Sequence, residues 1–137
     1  MSGSDCAALY RLTGAVAGLP NAADDLRRRT VFGVGHVRLG TVSAALVDEP
    51  ERRPRFVVVG SGGVAGIGRR HRAVPVDRII GTTVADVFLD VTGDQLADGP
   101  AYAPDRITDR DYLEGIYRYY DRTPCWASGY VFPDFNR

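Results

Sequence analysis

The chain has 137 residues, enough for one domain with some extra tail. Apolar residues make up 45% and charged residues 25% of it, an ordinary globular composition. Its 17 basic and 17 acidic residues cancel, which argues against general binding to nucleic acid or an anionic membrane, since either needs a net or clustered positive field.

All of the basic residues are arginine. Bidentate recognition of phosphate or carboxylate is one reading of that bias; a GC-biased coding sequence is the simpler one and is preferred. The two cysteines, Cys6 and Cys125, stand one in each tail. Two such residues make neither a disulfide framework nor a metal site, so they read as free thiols of a cytoplasmic protein. No segment approaches the roughly 20 apolar residues of a membrane-spanning helix. Ala15 to Leu19 is too short and broken for a secretory core and lacks a basic flank.

In chain order, the first stretch carries Gly14, Gly18 and Pro20 and reads as an irregular arm, with Ala7 to Leu12 either one helical turn or a short strand. Val42, Ala44 and Leu46 alternate with Thr41, Ser43 and Ala45, as in a half-buried strand. The polar turn Asp48 to Arg52 and the apolar run Arg55 to Val59 complete a hairpin. Gly60 to Gly68 reads as a loop, and Val74 to Ile80 as a strand bent or edged by Pro75. Val87, Leu89 and Val91 alternate with Asp86, Phe88 and Asp90 in one more strand. Asp94 to Ala97 fits a helical turn. A helix fits Asp109 to Tyr120, with Thr108 placed to cap it and Asp109 and Asp111 at the positive end of its dipole. Short strands with glycine-rich turns point to a small barrel that is mainly β.

The segment Gly60-x-Gly62-x-x-Ala65 after an apolar strand imitates a dinucleotide fingerprint. The context fails, because Pro75 follows too soon for a helix and no acidic residue ends a second strand at the right distance. His36 and His71 have no metal-ligand spacing, and Ser61 lacks the neighbours of a nucleophile elbow. No catalytic, cofactor-binding or metal-binding residue is assigned, and the expectation is that the protein is not an enzyme. Arg69, Arg70 and His71 beside the glycine loop are the candidate anion-binding group. The arginine clusters at 27–29, 52–55 and 69–72 otherwise read as a solvated, ion-paired surface. The C-terminal stretch is rich in tyrosine with Trp126, residues enriched at protein interfaces. Tyr117, Tyr120 and Trp126 are therefore the candidate interaction residues.

Residues from about Asp24 to Trp126 resemble the PRC-barrel proteins, in the form common among high-GC bacteria. The resemblance rests on Leu39-Gly40-Thr41-Val42, Val47-Asp48-Glu49, Arg52-Arg53-Pro54-Arg55-Phe56, Ser61-Gly62-Gly63 with Gly66-Ile67-Gly68, and Val74-Pro75-Val76-Asp77. Gly99-Pro100-Ala101-Tyr102, Ile116 to Tyr120 and Pro124-Cys125-Trp126 extend it. Where the family usually has an Asp-x-Asp-Gly-like turn, this chain has Phe32-Gly33-Val34-Gly35-His36. The resemblance implies a small, strongly bent β-barrel like those of the photosynthetic reaction-centre H subunit and the ribosome maturation factors. The chain is expected to divide into an arm over 1–23, the barrel over 24–104 and a helical, aromatic tail over 105–137. The function the resemblance implies is a non-catalytic interaction or assembly module; the aromatic tail and an open barrel edge add the expectation that it self-associates as a homodimer through one of them. An RNA- or ribosome-associated factor and a small-molecule or anion binder are the alternatives, with nucleic acid disfavoured.

Overall fold

The structure, a computed structural model, describes residues 6–13, 25–62 and 70–134. Among these residues there are seven strands: β1 (Leu9–Leu12), β2 (Thr30–Phe32), β3 (Arg38–Asp48), β4 (Pro54–Ser61), β5 (Arg70–Pro75), β6 (Ile79–Thr82) and β7 (Asp86–Leu89). Two helices follow, α1 (Gly93–Ala97) and α2 (Arg110–Tyr119). The sheet order is β5-β4-β3-β2-β7-β6. β3 is long enough to pair with β2 at its start and with β1 at its end. All pairs are antiparallel except β2 with β7.

Both ends of this open sheet reach one core. Ala73 and Val74 from β5 share a cluster with Ile79, Val87 and Leu89 from β6 and β7. Only a strongly curled sheet allows that. The register shifts at Val31/Phe32, Val42/Ala44, Leu46/Val47 and Ile79/Gly81 supply the bends. Leu113, Ile116, Tyr117 and Tyr120 of the C-terminal segment fill the same core. β4 is buried on both faces from Pro54 to Gly60, which is why its apolar run does not alternate.

Several expectations are corrected. Val74 to Ile80 is not one strand: β5 stops at Pro75, Val76–Arg78 makes a 3-10 turn, and β6 starts at Ile79. Proline has no N–H to continue the ladder. The cap of α2 is Asp109, not Thr108, and its carboxylate accepts from the Asp111 and Tyr112 amides. Of the two alternatives open for Ala7 to Leu12, the structure has the strand, Leu9–Leu12 pairing with β3. Cys6 and Cys125 are not free thiols: they form a disulfide across 119 residues of chain. Tertiary folding brings the two tails together, which sequence distance concealed.

Candidate interaction surface

Strand register determines what the outside of the curl displays. Arg38 lies opposite Phe32, Phe32 opposite Phe88, and Phe88 opposite Gly81. Directly paired residues share a sheet face, so Arg38, Phe32, Phe88 and Gly81 form one row across four strands. Their neighbours Val31, Val87 and Leu89 are fully buried and face the core. The two phenylalanine rings stack with centroids 5.6 Å apart, and His36 covers Phe88 at the same separation.

The row continues into a shallow apolar groove of about 510 Å3, lined by Val34, His36, Ile80, Phe88 and Asp90 among others. Val34, Val37 and Ile80 stand in solvent, Ile80 at 70% exposure. The 3-10 turn Val34–His36 builds the groove's rim. It needs left-handed backbone at Gly35 (φ 77°) and at His36 (φ 60°), which glycine permits at the first position. Ile80 is the extra residue of the Ile79/Gly81 bulge. A four-residue end strand with a bulge is a poor template for strand addition, so this edge presents side chains rather than a free ladder. Sequence reading overlooked the surface, although a signal existed: Phe88 stands on the polar face of the Val87/Leu89/Val91 alternation.

The residues singled out in the tail lie elsewhere. Tyr117 and Tyr120 are 1% and 0% exposed and belong to the chain's own core, so neither offers surface to a partner. Tyr117 packs on Phe56 and meets Trp126 edge to face, with centroids 5.7 Å apart. Trp126 is half-buried, with the Arg110 guanidinium over its ring. Periodicity along α2 could not tell a core stripe from a docking stripe. Beneath the tail, burial raises the Asp77 carboxyl above its ordinary value. Burial likewise pushes the Tyr117 and Tyr130 phenols up, and the neighbouring Asp77 charge adds to both shifts.

Of the candidate anion group, Arg69 falls outside the described residues. Arg70 is exposed at the start of β5, opposite Ser61, and His71 is half-buried with its carbonyl accepting from the Tyr102 amide at 3.0 Å. The glycine loop is described only as far as Gly62. The preceding glycines have a packing role: a Cβ on Gly40 would lie 2.1 Å from the Gly60 carbonyl oxygen. Other arginines act inside the chain. Arg27 pairs with Asp25 at 2.6 Å, Arg29 donates to the Thr83 carbonyl, Arg72 donates to the Ala97 carbonyl, and Arg55 bonds Asp48 and Glu51. Among the described residues no cluster of His, Cys, Asp and Glu is gathered to hold a metal, and no helix is long and apolar enough to cross a membrane.

A small, curled β-barrel domain with an apolar outer face is the class this geometry defines. The sequence model of the PRC-barrel domain matches residues 21–96, just over half of the chain, and the protein belongs to that family. Domains of this family serve as interaction and assembly modules and are generally non-catalytic. No curated protein matches the chain.

Proposed function

We propose that this protein is an assembly module that self-associates through the outer face of β2, β7 and β6. The carrying observation is the contiguous row of Phe32 and Phe88 with exposed Val34 and Ile80. Exposed apolar groups that adjoin one another mark interaction sites, whereas scattered ones do not. The charges beside the row favour a second copy as the occupant. Arg38 ends the row on β3, while Asp90 borders the groove beyond Phe88. A two-fold interface applies the same patch to itself, which allows Arg38 of one copy to reach Asp90 of the other; within its own chain Asp90 lies 4.0 Å from Arg122. The balanced net charge adds no long-range repulsion between copies.

Light scattering of purified variants tests the proposal. The wild-type chain is expected to be a dimer, and Ile80→Asp a monomer with unchanged circular dichroism. Arg38→Asp weakens association by placing acid against acid, and Arg38→Asp with Asp90→Arg restores it. A wild-type monomer at all concentrations, or a dimer that ignores Ile80→Asp, overturns the reading.

A further inference from the structure

The disulfide joins the two segments that secure the ends of the fold. Cys6 leads into β1, a four-residue strand whose partners on β3 run from Ala45 to Asp48. The Ala8 carbonyl accepts from the Glu49 amide at 3.0 Å, so the arm also meets the β3–β4 turn. Cys125 lies after α2, in a tail without regular secondary structure. The tail's Ala127 and Tyr130 amides bond to carbonyls of the tail itself. Its rings then return to the same turn: Phe132 lies under Arg53 at 4.6 Å and under Arg55 at 5.5 Å. Arm, turn and tail thus meet at one place, and the covalent bond holds the two outer members there.

Both cysteines are core residues, Cys6 at 1% and Cys125 at 7% exposure. A sulfur buried this deeply is shielded from an attacking thiolate in the folded state. The bond also closes almost the whole described chain into one loop, the arrangement in which a cross-link removes most freedom from the unfolded ensemble.

From this topology we infer that Cys6–Cys125 is a permanent structural bond, made during folding, and that the domain folds and works in an oxidising compartment rather than in the cytosol. Disulfides of this kind persist where the surroundings do not reduce them. Formation removes two protons and two electrons from the thiols. A disulfide-bearing oxidoreductase accepts them, its own disulfide becoming a dithiol as the new sulfur–sulfur bond forms.

The first test leaves the chain unaltered. Cells that make the protein naturally are quenched with acid, and the denatured protein is treated with a mass-adding maleimide. The expected result is no labelled cysteine without prior reduction and two after it; two labels without reduction overturn the inference. The second test uses purified protein under dithiothreitol, which supplies two electrons and two protons and leaves as a cyclic disulfide. The native chain resists reduction and the urea-unfolded chain yields at once. Cys6→Ser, Cys125→Ser and the double variant lower Tm equally, by about 10 °C or more. A double variant that melts with the wild type, or a native bond reduced as fast as an unfolded one, counts against it.

Discussion

Asp48 and Arg55 form an ion pair that the hairpin removes almost completely from water. Arg55 Nε meets Asp48 Oδ1 at 3.0 Å, with side chains 3% and 0% exposed. The other carboxylate oxygen accepts the Glu51 amide at 2.8 Å, and Oδ1 also accepts the Arg53 amide at 3.1 Å. One aspartate therefore both neutralises a buried cation and organises the turn between β3 and β4. Burial works against the Arg55 charge, but Asp48, with Tyr130 and Glu51, holds its pKa above the ordinary value. Removing one member of such a pair leaves the other charged and desolvated. Asp48→Ala is expected to lose about 3–5 kcal/mol of stability in urea unfolding. Glu51→Ala should lose less than about 1 kcal/mol, because that carboxylate is half exposed. Sequence reading recognised the turn at Asp48 but placed Arg55 among surface arginines. The Leu46/Val47 bulge makes the difference: Phe56 and Pro54 are paired to β3 while Arg55 is the extra residue between them. A shift of one residue moves a side chain to the other face, and no local pattern announces it.

Elements were more legible than individual side chains. The strands β3 and β7, the β3–β4 hairpin and the span of α2 follow from local period and turn chemistry, which act within a few residues; the half-buried alternation expected of β3 fails at Ala45, which is buried like Ala44 and Leu46. Thr92 caps α1 by accepting the Gln95 amide at 3.0 Å. Ends were less legible. Thr108 and Asp109 are both competent caps, and only the backbone shows that Asp109 holds the extended cap conformation (φ −89°, ψ 110°). Asp109 also pairs with Arg106 at 2.8 Å, and that hydrogen bond lowers its pKa first, burial opposing. A depressed carboxylate contributes stability above its unfolded pKa of 3.8 and loses it as pH falls below that value. Asp109→Ala should therefore lower Tm at neutral pH and make little difference in acid, whereas Thr108→Ala should leave Tm unchanged at both. Melts at the two pH values decide between the two caps.

The whole molecule is a curled sheet that its C-terminal segment helps to close. Tyr117 and Tyr120 are core groups of that closure, and Tyr130 packs against the cluster. Burial pushes the Tyr120 phenol up to about 12, with neighbouring Tyr119 adding to the shift, and pushes the Tyr117 and Tyr130 phenols higher still. Their folded values lie above the unfolded value near 10, so their contribution to stability is complete below pH 10 and is lost as pH rises through the folded values. In an alkaline titration these three phenols should stay neutral as pH rises past 10. They should then ionise together with the loss of near-ultraviolet circular dichroism. Phenolate absorbance followed alongside the dichroism checks this; full ionisation of all seven tyrosines in a still-folded chain would show that the tail does not close the core.

Legible in the sequence were the β class, the family resemblance, the principal strands and both helices. Each depends on period, turn residues or motif order, and these are local properties of the chain. Tertiary structure decided which aromatic residues are core and which are surface. It placed Tyr117 and Tyr120 inside, arranged Phe32 and Phe88 in one outer row, turned Arg55 toward Asp48, and joined Cys6 to Cys125. Those outcomes depend on bulges, curl and contacts between distant segments, where a one-residue change in register or a few ångströms of approach reverses the result.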